Sequence, residues 1–402
     1  MNRPANGVSG RSRTTTTSLA GALQSRSPAE GTTRGPSMTI PFRIHHRVAP
    51  VMLAAATALG VQAVQAATWV YVANADSQDV SVLELDRAAG TLKTVDTTAL
   101  GGAAMPMAVS PDKRVLYVAL RSQPFRVVSL AIDPASGKLR KLGEAPLADS
   151  MANIDTDATG RWLFAASYPG HKITVNSIGK DGVVGAVQQL IPTAPNAHAI
   201  HADAANRYVF ATSLGGDHLS AWKFDAETGK LTAHEPALTP VAPEKSGPRH
   251  FVWSGDQRHL YLLDELDATV HVMAYDKERG TLRPLQRTTA LPAGFAGKPW
   301  AADIHLSPDG RTLYASERTS STLSAFRVDT ATGQLQPLGH VPTEKTPRGF
   351  AVDASGRFLI AAGQESHHVA LHPIDPATGL PGVPTRVPVG KNPNWIEIVD
   401  MP

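Results

Sequence analysis

A small set of charged side chains breaks the pattern of an otherwise repetitive chain: His198, Arg249, Glu265, Arg318, Arg348 and Arg121. Four guanidinium groups, one imidazole and one carboxylate gathered around a concavity would bind an oxyanion, a phosphate or a carboxylate, because the planar fork of arginine matches those groups two bonds at a time. Asp303 and His250 lie close in sequence to this set and are further candidates for the same pocket. Other chemistries lack their residues. The chain has no cysteine, which removes disulfides, thiolate metal sites and thiol nucleophiles. It has no His-Glu-x-x-His, no Gly-x-Ser-x-Gly elbow and no glycine-rich phosphate loop leading into a helix, so neither a metal nor another cofactor is expected.

The residues were selected by register. Six copies of an apolar stretch, a polar turn with a basic residue and a second apolar stretch recur, among them VSPDKRVLYVA, LSPDGRTLYASE and VDASGRFLIAAG. Their arginines are Arg114, Arg161, Arg207, Arg258, Arg311 and Arg357, and standing in every copy they are read as structural. A second motif, an alternating strand followed by a glycine turn, occurs at Gly90, Gly137, Gly182, Gly229, Gly280, Gly333 and Gly379. Both series describe one unit of about 48 residues with four short strands, which is the blade of a β-propeller. The second hairpin occurs seven times and the first six times; the missing one is split between Thr68–Asn74 and Asn394–Asp400. The expectation is therefore an all-β, seven-bladed propeller of four-stranded blades over residues 67–402, its ring closed by pairing of the N- and C-terminal strands in one blade.

Counting from each turn arginine, position −7 is always apolar (Met107, Ile154, Ile200, Phe251, Ile304, Phe350) and belongs between blades. Position −9 is not uniform: Met105, Ala152, His198, Arg249, Ala302, Arg348. Position +7 holds Arg121, Tyr168, Leu214, Glu265, Arg318 and Gln364. The start of one strand and the end of its antiparallel neighbour lie at the same end of a hairpin, so both sets rim one mouth of the central channel. A bland alternative is that these charges pair with each other across blade junctions. His201, His305 and the His367-His368 pair read as satisfied or exposed histidines outside the pocket.

Composition narrows the partners. With 33 Gly, 31 Pro and 18% charged residues the chain is built of turns and short strands, and a helical bundle is excluded. The formal charge of +3 comes from residues 1–66, which hold seven basic residues and one acidic; the remainder carries 31 basic against 34 acidic. Such a body offers no electrostatic case for nucleic acid or an anionic membrane. The basic stretch Arg43–Arg47, an uncharged run from Val48 to Ala66 and the small residues Val64-Gln-Ala66 read as a secretory signal cleaved after Ala66, with residues 1–37 unstructured and Met38 a possible true start. The unbroken apolar part is too short to span a bilayer. This predicts a periplasmic or secreted protein with no membrane insertion after cleavage, against the alternative of a cytoplasmic one.

The stretches MAVSPDKRVLYVALR, SGPRHFVW, WAADIHLSPDGRTLYASERT, TEKTPRGFAVDASGRFLIAAGQESHHV and the closing NPNW resemble the bacterial 6-phosphogluconolactonases of the seven-bladed propeller type. The likeness runs from about Thr68 to Val399. It implies a monomeric hydrolase that opens a sugar lactone, phosphorylated or not, to the aldonic acid without a cofactor. It also implies that His198, Arg249, Glu265 and Arg318 are catalytic, with His198 or Glu265 as general base and the two arginines as oxyanion and carboxylate clamp. Arg348, Arg121, Asp303 and His250 would then bind substrate. Asp264 before Glu265 and Glu317 before Arg318 depart mildly from the family pattern. A signal sequence departs more, because a phosphorylated lactone is a cytosolic metabolite; an exported enzyme would take an unphosphorylated aldonolactone. A non-catalytic envelope propeller used as a binding platform is the rival expectation, and it predicts apolar or variable residues where the charged set stands.

Overall fold

Every blade is held to the next by a side chain lying on a glycine turn, an aromatic ring or imidazole at five of the seven junctions. The computed structural model describes residues 67–241 and 245–401; the leader and signal assignments of residues 1–66 lie outside them. Within the described residues twenty-eight strands, β1 (Thr68–Asn74) to β28 (Pro393–Asp400) in chain order, form seven four-stranded antiparallel sheets, with one turn of 3-10 helix at Leu214–Gly216. The innermost strands are β4 (Ala104–Val109), β8 (Met151–Thr156), β12 (Ala197–Ala202), β16 (Pro248–Trp253), β20 (Ala301–Leu306), β24 (Pro347–Val352) and β28. In the closing blade β28 pairs with β1 from Thr68↔Asp400 to Asn74↔Pro393, the join expected from the split hairpin. No described helix is long and apolar enough to cross a membrane.

The repeated motifs map onto two devices. In the first hairpin a side chain four residues before the turn arginine accepts the freed backbone N–H groups. Asp157 Oδ1 takes those of Arg161 and Trp162 at 2.9 Å each, and Ser307 Oγ takes that of Thr312 at 2.9 Å. An Asp or Ser there closes the turn locally. At the second device all seven turn glycines have φ between 65° and 79°, a region open to glycine and costly for other residues. An aromatic ring or imidazole from the preceding blade packs on the bare Cα: Trp69 on Gly137, Trp162 on Gly229, Tyr208 on Gly280, His259 on Gly333. Hydrogen bonds across the junction add to it, Tyr71 to Gly137 O at 3.0 Å and Tyr314 to Gly379 O at 2.8 Å. The turn arginines share in this: Arg161 reaches Glu227 and Ala226 O, and Arg207 reaches Glu278 and Lys277 O, while remaining largely exposed. Seven apolar clusters fill the spaces between sheets, so the ring has no single core and is only as strong as its junctions.

One feature recurs at the channel that periodicity did not reveal. In all seven blades the pairing of the inner strand shifts near its start, with an extra residue on the inner strand. In β16 Pro248 pairs with Asp264 and His250 with Leu263, which leaves Arg249 without a ladder partner. Arg348 in β24, Ala152 in β8 and Asn394 in β28 are left out in the same way. Position −9 is thus a β-bulge around the whole ring. A bulge re-aims a side chain and releases backbone groups for other partners.

The junction device can be tested at one site. Gly137→Ala places a methyl group in a left-handed turn against the Trp69 ring, and is expected to lower unfolding stability by about 1–3 kcal/mol. Tyr71→Phe, which removes only the hydroxyl, is expected to cost about 1 kcal/mol. Urea denaturation of both variants measures these losses, and equal effects would contradict a role for the bare Cα.

Candidate active site

Position −9 of blade β16–β19 and position +7 of the same hairpin meet as the strand-end argument requires. Arg249 Nε donates to Glu265 Oε2 at 2.8 Å, and Arg318 Nη2 reaches the same oxygen at 3.0 Å. Arg249 is 1% exposed and is the largest fully buried side chain described. Its Nη1 also donates to the carbonyl of Ala302, a bulge residue of the next blade. Arg318 Nε donates to Trp300 O at 3.0 Å and its Nη2 to Ala301 O at 2.9 Å. The guanidinium groups therefore satisfy carbonyls at the strand starts while a single carboxylate holds both in place. Burial opposes the charge on Glu265, yet the two arginines overcome it and keep the carboxyl below its ordinary range.

Arg348 and Arg121 complete the cationic set. Arg348 is buried and its charge is disfavoured first by burial and then by Arg249, Arg318 and Arg121. Arg121 Nε donates to Ser150 Oγ at 2.8 Å, and its charge is disfavoured by burial and by Arg249. Among the described residues neither has a carboxylate partner, so the cluster holds four arginines and only two of them are paired, both with Glu265. A guanidinium keeps its proton inside proteins. The guanidinium groups therefore repel one another across the channel mouth. The across-junction pairing considered from sequence accounts for Arg318 with Glu265, while Arg249 pairs with Glu265 inside its own blade and Arg348 and Arg121 have no carboxylate partner among the described residues.

The histidines divide differently from expectation. His198, buried, stands edge-on to His250 with ring centroids 5.0 Å apart and to Tyr168 at 5.8 Å, and its Nδ1 has no partner. Burial, then Arg249, keeps it neutral at ordinary pH. Asp303 lines the channel cavity with both carboxylate oxygens hydrogen-bonded: Oδ1 accepts from His250 Nδ1 at 2.7 Å and Ile304 N at 3.0 Å, Oδ2 from His305 Nε2 at 3.1 Å and Phe350 N at 3.2 Å. Burial works against its charge, but His305 and His250 hold the carboxyl well below its usual range. Because ionised Asp303 needs a donor, His250 carries its proton on Nδ1, and its buried Nε2 is left with a lone pair and no partner. Burial first and Arg249 second push the His250 pKa down to about 3.

Below this ring of residues the channel widens into a cavity of about 490 Å³ bounded by the later residues of the inner strands. Its polar lining begins with His250 and Asp303 of the candidate set and continues with groups the sequence reading left aside: Asp155 with His201 at 2.8 Å, His305, and Glu397, which accepts from Trp395 Nε1 at 2.9 Å. Glu397 faces the channel but is ringed by protein, and burial raises its pKa to about 7. The missed signal was present in the registers: position −6 reads Ala108, Asp155, His201, Val252, His305, Ala351. The channel is thus cationic at one mouth and acidic beyond it. Among the described residues no three histidine or acidic side chains converge to hold a metal ion.

The described residues form a seven-bladed ring whose channel mouth is cationic and lined by histidines. The profile described as "Lactonase, 7-bladed beta-propeller" matches residues 67–398, and the chain belongs to that lactonase family. It is 42% identical over 331 residues to the 6-phosphogluconolactonase of Pectobacterium carotovorum, covering 82% of this chain and 98% of that protein. Identity to the 6-phosphogluconolactonase of Serratia proteamaculans is 40% over 330 residues, with the same shares. Among solved structures, the periplasmic gluconolactonase of Pseudomonas aeruginosa superposes with a TM-score of 0.78 at 30% identity, covering 83% of this chain and all of that one.

Glu265→Gln removes the charge shared by Arg249 and Arg318 and is expected to cost about 3–5 kcal/mol of stability. Inorganic phosphate, which substitutes for the lost charge, is expected to raise the melting temperature of this variant more than that of the wild type. Thermal denaturation with and without phosphate measures both effects.

Proposed function

We propose that the protein is an exported lactonase that opens an unphosphorylated sugar δ-lactone to the aldonate. The observation that carries the reading is the set of four arginines around one carboxylate, beside two neutral histidines with unpartnered ring nitrogens. Ester hydrolysis needs three things: a water that loses a proton as it attacks, a stabilised tetrahedral oxyanion, and a proton for the leaving ring oxygen. The family and the names of its relatives agree with that chemistry.

Of the groups first considered as base, Glu265 is the less suited, because its carboxylate is committed to two guanidinium groups. His250 has what a base requires: a neutral ring, a carboxylate that fixes the tautomer, and a free Nε2. In the proposed reaction a water oxygen forms a bond to the lactone carbonyl carbon and its proton passes to His250 Nε2. Arg249 and Arg318 stabilise the oxyanion. When the bond from carbon to ring oxygen breaks, His250 returns the proton to that oxygen, and the new carboxylic acid loses its own proton to solvent. His198 lies against His250 to orient the water, and Asp303 is a positioning residue. Arg348 and Arg121 hold the developing carboxylate or the distal hydroxyls. The protein acts as a monomer.

Export rests on the leader read from Arg43 to Ala66, and the Pseudomonas neighbour bears a periplasmic name. The relatives named for the phosphorylated lactone argue for the other substrate. The two are separated by measuring ring opening of 6-phosphogluconolactone and glucono-δ-lactone side by side with protein starting at Ala67, after subtraction of spontaneous hydrolysis. Preference for the plain lactone is the expected result; preference for the phosphorylated one would assign Arg348 and Arg121 to phosphate, and turnover of neither would restore the binding-platform reading.

A second measurement addresses the base. A histidine must be neutral to accept a proton, and one whose pKa lies at about 3 is neutral throughout the ordinary range. The rate constant kcat/KM is therefore expected to be flat from about pH 5 to 8, with no inflection near the usual histidine value of about 6.5. His250→Gln is expected to lower kcat by about 10²–10⁴-fold. An inflection near pH 6.5 in the wild type would contradict the assignment.

A further inference from the structure

Position −11, the residue before each inner strand, is Ala103, Ser150, Asn196, Gly247, Trp300 and Thr346 in successive blades and Asn392 in the closing one. Six are small or polar; Trp300 alone is a large aromatic, and its side chain is not folded away. The residue is 43% exposed, one of five large apolar residues so exposed among those described. Another, Leu266, follows Glu265 directly and is 36% exposed. Two of the five thus stand at the rim of the cationic mouth.

Trp300 is held firmly. Its N–H donates to Glu317 Oε1 at 2.7 Å, its carbonyl accepts from Arg318 N at 3.1 Å and Nε at 3.0 Å, and Glu317 is fully buried. One face of the indole is covered by the Arg318 guanidinium, 3.8 Å from the ring centroid. The chain spends extra length here: Ala290–Trp300 joins β19 (Thr281–Thr289) to β20 in eleven residues, where five of the seven blade connections use four. An indole fixed at its backbone, stacked on a catalytic arginine and otherwise open to solvent has little to gain from its exposure in the free protein.

We propose that Trp300 is a stacking platform for the sugar ring, so that the site takes a pyranose lactone by its C–H face while the arginines take the acyl oxygen. This rests on the lactonase reading and adds a subsite to it. Arg318 would serve both halves of the substrate: its edge toward Glu265 and the oxyanion, its face toward the indole that carries the ring. The platform accounts for selection of a sugar ring, which four arginines alone would not distinguish from any small carboxylate.

The test compares Trp300→Ala and Trp300→Phe with the wild type in two assays: turnover of glucono-δ-lactone and calorimetric binding of the non-hydrolysable D-glucono-δ-lactam and of inorganic phosphate. A platform predicts that Trp300→Ala raises KM and weakens lactam binding about tenfold, leaves kcat within about threefold and leaves phosphate binding unchanged, and that Trp300→Phe restores most of the loss. Unchanged KM and lactam affinity in Trp300→Ala would overturn the platform while wild-type turnover keeps the lactonase reading. Equal weakening of lactam and phosphate, or a fall in kcat alone, would show that the indole only steadies Arg318 and would also overturn it. A wild type that neither turns over the lactone nor binds the lactam would sink both.

Discussion

Four guanidinium groups stand at the mouth of the channel with one carboxylate, which pairs with two of them, and most of what is particular to this propeller follows from that imbalance. Glu265 can hold Arg249 and Arg318 only because its oxygen lies between them at 2.8 and 3.0 Å. Arg348 and Arg121 have no such partner and are kept in place by packing, the Ser150 hydroxyl and the rigidity of the ring. A flexible scaffold would relax the repulsion by letting the arginines swing into solvent. Seven sheets locked by side chains on glycine turns, an aromatic ring or imidazole at five of the seven, do not permit that.

The bulge at the start of each inner strand converts the repeat into a site. It turns position −9 out of the ladder in every blade, and it frees strand-start carbonyls that Arg249 and Arg318 take up. Where −9 is Met105 or Ala152 the same geometry is chemically silent. Variation of a single register over a constant backbone is enough to place cationic and titratable side chains at the channel mouth. The next residue along, at −8, supplies the complementary parts, His250 in one blade and Asp303 in the next, and their 2.7 Å contact spans the junction between them.

Much of this was legible in the sequence, because a propeller writes its geometry as a period. The glycine series, the split hairpin and the shared end of −9 and +7 led directly to the ring, its closure between Thr68–Asn74 and Asn394–Asp400, and the meeting of Arg249 with Glu265 and Arg318. The pairing states of individual groups were not legible. Asp303 was expected beside the pocket, and what the sequence did not show is that backbone N–H groups from its own strand and the next blade, together with two imidazoles, bond both of its oxygens. His250 was a candidate for the same pocket, but that its Nδ1 is bonded and its Nε2 bare was not readable from the sequence. Both depend on the bulge, which moves a residue relative to its neighbours without changing the period. Trp300 and the polar lining at −6 were readable as departures from the repeat, but only after the mouth had been located could their positions be given meaning.

The most direct measurement is a crystal structure of the chain from Ala67 with D-gluconate bound. The account places the carboxylate against Arg249 and Arg318, with C1 within reach of a water on His250 Nε2 and the carbon chain toward Trp300. A carboxylate found instead in the wider cavity beside His201 and His305, with the four arginines untouched, would contradict it.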